Sequence, residues 1–554
     1  MSARRKLQFL LLVPALASLL VIALSAAPQT VAVQILALND FHGNLEPPAG
    51  AAGRIGTIDA GGVEYLATHI ETLRAANPNS VVVSAGDLIG ASPLVSGLFH
   101  DEPTIEAFNL IGLDFNAVGE HEFDGGVAEL IRMQEGGCHP VDGCSGDGVF
   151  AGADFRFLSA NVVRQKNGKA LFPPYKLRAF GGVRVAFIGV TLEGTPSITS
   201  PSKLAGLAFR DEADTVNALV PELRKQGVRT IVVLAHEGGV QSSFTDHNGC
   251  TGLSGPIVDI VDRLDDEVDI VVTGHTHQAY NCVVDGKLVT SAASFGRLVT
   301  DIDLEIDGAT GEVVSMSANN LVVTRDVPRA PLLTALADYY VALAAPLANR
   351  VIGSISANIT RTNNIAGESA LGDVIADAQL AATVSSAGAI MAFTNPGGIR
   401  SDLLYNPSGA EAPGDVTYEE AFTVQPFGNT LVTMTLTGAQ IDTLLEQQFD
   451  NPSVGSARVL QVSNGFNYIW SQSAPAGNKV DPTSITLNGV VLDPNASYRV
   501  TVNSFLAEGG DNFSVLVQGT DRVGGDLDLE ALVAYLTAYS PVAPGPQNRI
   551  IVIP

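Results

Sequence analysis

VAVQILALNDFHGNLEP (31–47) begins as an uninterrupted aliphatic run and then stops abruptly at Asn39, Asp40 and His42. A run that is apolar without polar alternation reads as a strand buried on both faces. The same design returns in SVVVSAGD (80–87), FNAVGEHEFD (115–124), RVAFIGVT (184–191), RTIVVLAHEGG (229–239) and DIVVTGHTHQ (269–278). Helical stretches separate several of these runs, at 62–76, 103–112 and 214–227. Strand–helix alternation predicts an α/β layered domain over 31–325. From 329 to 347 the sequence reads as one helix, so 326–350 is expected to link this domain to the next. Residues 351–554 change character, with a helix near 372–383, a glycine-rich loop TNPGGIR (394–400) and alternating strands such as TLVTMTLTG (430–438). They predict a separate, smaller α+β domain.

Composition sets outer limits on function. The chain has 554 residues, 46% of them hydrophobic, with 31 Lys+Arg against 58 Asp+Glu and a formal net charge of −27. So much apolar content excludes wholesale disorder. Such an acidic surface repels polyanions and argues against nucleic acid polymers as partners. At the N-terminus, Arg4, Arg5 and Lys6 precede an apolar run and then Ser25-Ala26-Ala27, the pattern of an export signal spanning 1–27. The mature chain is then expected to be secreted, extracellular or in the cell envelope or periplasm, with no membrane span left after signal removal. Four cysteines in an exported chain predict two disulfides. Cys138–Cys144 closes the short loop CHPVDGC and leaves Cys250–Cys282 as the second pair; zinc binding is the competing reading of the four cysteines.

Five of the nine histidines stand at the polar ends of the predicted strands: His42, His121, His236, His275 and His277. Asp40, Asp87, Glu120 and Asp124 accompany them. The carboxyl ends of strands are where open α/β sheets place ligands. Imidazole mixed with carboxylate suits borderline divalent ions such as zinc, manganese or cobalt. The spacing of Asp40 and His42 places both side chains on one side of an extended segment, and His275 and His277 repeat it. Two divalent ions roughly 3.5–4 Å apart clamp a phosphoryl group. His121 and Asp124, three residues apart, are close enough on a helical turn for the carboxylate to orient the imidazole.

Taken together, LNDFHGNLEP, SAGDLIGASP, NAVGEHEFD and VVTGHTHQ resemble the secreted 5′-nucleotidase/UDP-sugar hydrolase family within the calcineurin-like metallophosphoesterases. The resemblance covers essentially the whole mature chain. It implies a layered β-sandwich flanked by helices, followed by a nucleotide-recognition domain. It also implies two divalent metal ions, one held by Asp40, His42, Asp87 and His277 and the other by Asp87, Glu120, His236 and His275. His121, oriented by Asp124, would serve the phosphoryl transition state without binding metal. One position departs from the family, which usually carries Asn where this chain has Glu120.

The second domain carries the other half of the resemblance. Phe427 in QPFGN and Phe505 in NSFLAEGGDNF occupy the positions whose rings sandwich a nucleobase in the family. Taken from the residues alone, both phenylalanines read first as core. Asn395, Gly398 and Arg400 are implied substrate contacts, Asn429 a base or support contact, and Asp511 a ribose acceptor. Arg361 resembles the first of two arginines in some members, and Ile365 stands where the second would be. The implied reaction is release of phosphate from nucleoside 5′-monophosphates, extending to UDP-sugars or nucleoside polyphosphates. A 2′,3′-cyclic-nucleotide phosphodiesterase with 3′-nucleotidase activity and a non-catalytic nucleotide-binding surface protein are the alternatives.

Overall fold

A computed structural model describes residues 29–48, 50–146, 148–242 and 246–554. The predicted export signal lies outside the described residues. The opening run forms the strand Thr30–Leu38, which pairs in parallel with Ser80–Ser84 and antiparallel with Leu298–Asp307. Phe115–Ala117 and Arg156–Leu158 extend this sheet on one side, and Val313–Val322 closes the other. A second six-stranded sheet runs in the order Ala279–Val284, Lys287–Ala292, Ile270–Thr273, Thr230–His236, Val183–Thr191, Tyr175–Phe180.

The two sheets stack face to face. Ile35, Val81, Val83, Phe187, Val232, Leu234 and Val272 fill the space between them. Their sequence neighbours point the opposite way, as period-two alternation requires. Leu36 and Val82 pack under the helices Val63–Ala76 and Glu102–Ile111. Ile188, Val233 and Val271 pack under Glu212–Lys225 and Pro256–Arg263. Helices thus cover both outer faces, which is why the strands show no polar alternation. The parallel strands end at one edge of the sandwich, and the loops leaving Leu38, Ser84, Ala117, His236 and Thr273 meet there.

Both expected disulfides are present, with Cα–Cα separations of 4.4 Å for Cys138–Cys144 and 5.1 Å for Cys250–Cys282. The helix Pro331–Ala348 is less a free connector than a third helix on the first core. Its Leu333, Tyr340 and Ala344 are buried there, and the Tyr340 hydroxyl donates to Glu106 at 3.0 Å. It is long and apolar enough by composition to cross a membrane. Tyr418 and Phe422, from the helix Tyr418–Val424 of the C-terminal half, pack against the same core and join the two halves of the molecule.

The C-terminal half is built on a five-stranded sheet in the order Gln461–Val462, Met391–Thr394, Ser497–Asn503, Thr430–Thr437, Thr520–Leu527. Ala370–Ala387 and Asp528–Tyr539 pack together on one side. On the other, Met434, Leu436, Val500 and Val502 form a core with the helix Gly438–Glu446. The predicted α/β plus α+β architecture is what the chain adopts.

Candidate active site

Asp40 and His42 leave the strand Thr30–Leu38 in a way that the sequence pattern did not foresee. Both were expected on extended backbone, yet both adopt left-handed conformations, with φ of 49° and 47°. His275 and His277 do the same at 66° and 54°, and Asp87 at 49°. Such backbone costs of order 1–3 kcal/mol per non-glycine residue and persists only where the surroundings enforce it. The reason is steric crowding at the sheet edge: each chain must turn within two residues to keep its polar side chain in the cluster. Asp40 accepts from the Asn39 amide at 2.6 Å and from the His275 N–H at 3.0 Å. The neighbouring glycines make room. Gly86 has φ +96°, and a Cβ there would lie 2.5 Å from His236 Nδ1, while one on Gly119 would collide with the Asp87 carboxylate.

The side chains converge as two groups. Asp40, His42 and His277 form one, Glu120, His236 and His275 the other, with Asp87 close to both. Two of the four imidazoles, His42 and His236, are aimed by a hydrogen bond from the far nitrogen. His42 Nδ1 donates to the Gly90 carbonyl at 2.8 Å, leaving its Nε2 lone pair facing His277 Nε2 at 3.1 Å. His236 Nδ1 donates to the Ala85 carbonyl at 2.7 Å, so its Nε2 faces Glu120 Oε2 at 2.7 Å and Asp87 Oδ2 at 3.1 Å. His236 Nε2 and Glu120 Oε2 are nonetheless both buried without a hydrogen-bond partner. Two buried acceptors facing each other this closely are an arrangement that a bound cation relieves. The donor set fits divalent metal ions, and Glu120 takes part in it through both oxygens, the second contacting His275 Nδ1 at 2.7 Å.

Charge is unevenly spread through the cluster. Burial pushes the Asp40 carboxyl up to about 7, with nearby Asp87 adding to the rise. Burial, then the neighbouring imidazoles, holds His42 well below the usual histidine range. Burial alone would lower His121, but the carboxylates of Asp124, Asp87 and Glu120 raise it to about 9. Its Nδ1 donates to Asp124 at 2.8 Å from the short turn His121–Phe123, the orientation expected from their spacing.

Glu122 is a functional candidate that sequence reasoning quoted without a role. Buried, it accepts four hydrogen bonds: from the N–H groups of Asp87, Leu88 and Gly119 and from the Asn116 amide. It clamps the loops carrying Asp87 and Glu120 together. Its place inside GEHEFD was the available signal.

The second domain forms the opposite wall of a cleft of about 490 Å³. Phe427 stacks on His121, with ring centroids 5.6 Å apart and planes 14° from parallel, and the Arg400 guanidinium lies 5.6 Å from the Phe427 ring centroid. Asn395, Gly398, Arg400, Phe427, Asn429, Phe505 and Asp511 all line this cleft, as do Glu120, His121, Asp124 and His275. Asp511 accepts from Asn395 at 2.9 Å and pairs with Arg458. Asn429 accepts from the Ser504 hydroxyl at 3.0 Å. Arg361 is not brought to the wall. It is exposed, and its side chain donates to the Ile399 carbonyl at 3.1 Å, so it reaches Arg400 only through its field. Ile365 is 86% exposed. Three charged residues that the sequence reading assigned no role do line the cleft: Lys203, Arg458 and Glu508, the last inside the motif NSFLAEGGDNF. Glu508 also bridges it, accepting from the Ser200 hydroxyl at 2.7 Å and the Ser202 N–H at 3.2 Å.

A helix-flanked double sheet with this histidine–carboxylate cluster at its loop edge defines a calcineurin-like phosphoesterase, and residues 33–279 match that family. Residues 351–518 match the 5'-nucleotidase C-terminal domain. The chain belongs to the family that joins these two domains. It is 32% identical to a cell wall protein of Listeria monocytogenes over 92% of this chain and 68% of that protein. It is 33% identical to an endonuclease of Bacillus subtilis over 95% of this chain, but spans only 41% of that longer protein. The crystal structure of a 5'-nucleotidase precursor from Thermus thermophilus superposes with a TM-score of 0.77 at 29% identity, covering 94% of this chain and 99% of that one.

Proposed function

We propose that the protein is an exported, two-metal phosphohydrolase that releases phosphate from nucleoside 5′-monophosphates. The observation that carries this reading is the stack of Phe427 on His121, which sets an aromatic wall directly against a histidine–carboxylate cluster. Asp40, His42, Asp87 and His277 would hold one ion, and Asp87, Glu120, His236 and His275 the other. When bound, such ions neutralise phosphoryl charge and activate a water for in-line attack.

The chain's own residues do the rest. Arg400 directs its fork toward the phosphate from the second domain. His121, held by Asp124, stabilises charge on the phosphoryl group and assists the departing ribose oxygen. Phe427 and Phe505 grip the base, which tolerates base identity because every base has a stacking face. Asp511, fixed by Asn395 and Arg458, accepts from the ribose. Export is supported by the segment at 1–27 and by the cell wall name of the Listeria relative.

The test is AMP turnover after chelation and readdition of Mn²⁺, Co²⁺ or Zn²⁺. Restored release of phosphate is expected, and no restoration with any of them sinks the reading. The endonuclease name of the Bacillus relative favours one second reading, cleavage of small phosphodiesters such as 2′,3′-cyclic nucleotides. A panel of AMP, UDP-glucose and 2′,3′-cyclic AMP separates the two: turnover of the cyclic substrate alone would replace the first reading with the second.

A further inference from the structure

We propose that His100, His139 and Asp142 form a zinc site on the disulfide loop, separate from the catalytic cleft. None of the three lines that cleft. Their ligand atoms lie within 4.8 Å of one another. His100 Nε2 is 3.0 Å and His139 Nδ1 3.1 Å from the same oxygen, Asp142 Oδ2. Zinc bonds to nitrogen and oxygen run about 2.0–2.2 Å, so tetrahedral ligands stand about 3.3 Å apart, near the two imidazole–carboxylate spacings seen here.

The protonation pattern points the same way. The Asp142 backbone N–H donates to His139 Nδ1 at 3.2 Å, so that nitrogen carries its lone pair and not a proton. The same nitrogen faces a carboxylate oxygen, an acceptor opposed to an acceptor. The two imidazoles stack, with centroids 3.8 Å apart and planes 14° from parallel, so the rings must turn apart for both lone pairs to reach one ion. A cation bound by neutral imidazoles and the carboxylate removes the opposition of the two acceptors. Two imidazoles and one carboxylate are a zinc donor set, and Asp142, 60% exposed, leaves room for water to complete the shell.

The site is also organised in advance. The Cys138–Cys144 bridge closes the loop, and His139 and Gly143 exchange backbone hydrogen bonds at 2.9 and 3.0 Å across it. His100 sits on the facing turn, in left-handed backbone with φ 56°. Its neighbour Asp101 accepts from the Gly90 N–H at 3.1 Å, and the Gly90 carbonyl aims His42. Zinc would staple the disulfide loop to this turn.

The experiment is zinc stoichiometry by mass spectrometry on the full chain, purified without a polyhistidine tag and equilibrated with buffered zinc. His139→Ala should hold one zinc per chain fewer than wild type. The same difference should persist in an Asp87→Ala background, where the catalytic pair is disrupted. Equal zinc content with and without His139 in both backgrounds overturns the proposal and leaves Asp142 as a hydrogen-bond acceptor only. Should His139→Ala fail to fold, Asp142→Asn keeps side-chain size and should weaken that zinc about tenfold or more in a competition titration; unchanged affinity is equally fatal.

Discussion

The two walls of the cleft are made differently. On the first-domain side, the cluster behind the lining residues Glu120, His121 and His275 includes Asp40, His42, Asp87 and His236, all at most 1% exposed, and three of these four sit in left-handed backbone. On the second-domain side, Arg400, Phe427, Asn429 and Phe505 are half-buried. One side uses backbone strain and burial to fix its donor atoms. The other presents flat rings and forked donors that can settle onto a ligand. A wall built for chemistry has to be rigid before substrate arrives; a wall built for recognition gains from compliance.

The largest expected effect tests the rigid wall. Asp87→Ala should lower kcat/KM for AMP by roughly 10⁴-fold, several kcal/mol of transition-state stabilisation. Nucleotide binding measured by calorimetry should change far less, and equal loss of both would erase the contrast between the walls. His121→Ala comes next, with kcat reduced about 10³-fold and KM little altered in steady-state assays.

The compliant wall should respond in KM. Phe505→Ala is expected to raise KM for AMP about tenfold, within the range of one lost stack, while p-nitrophenyl phosphate hydrolysis stays level. Phe427→Ala sharpens the comparison, because its ring touches both ligand space and His121. It should slow p-nitrophenyl phosphate as well, by a few-fold, which Phe505→Ala should not.

The smallest effect is on stability. Asp528, whose N–H donates to the Asn429 carbonyl at 2.8 Å, is buried, and burial raises its carboxyl from 3.8 to about 7. The folded chain therefore keeps a proton that the unfolded chain releases near pH 4. That contribution is full below pH 3.8 and is lost as pH rises to about 7. Asp528→Asn should flatten the decline in thermal midpoint across this window, and an unchanged slope would refute the assignment.

Much of this was legible in the chain itself. Uninterrupted runs such as TIVVLAH (230–236) announced doubly covered strands, and the polar residues that end them announced the site edge. The Cys138–Cys144 and Cys250–Cys282 pairs followed from count and loop length. Arg361 lies beside the lining residues, on the Ile399 carbonyl, because its motif fixes where it lies along the chain and not where its side chain finds acceptors. Lys203 and Arg458 stood in segments with no local pattern, and only the packing of distant segments brings them to the ligand space.

Hydrophobic periodicity acts over a few residues, so the sequence by itself determined the strands, the helices and the polar chemistry at their ends. The left-handed turns at Asp40, His42, Asp87, His275 and His277, the stack of Phe427 on His121 and the meeting of His100 with His139 were decided by the tertiary structure. Each depends on atoms far apart in sequence competing for one small volume, and that competition is settled only when the layers have packed.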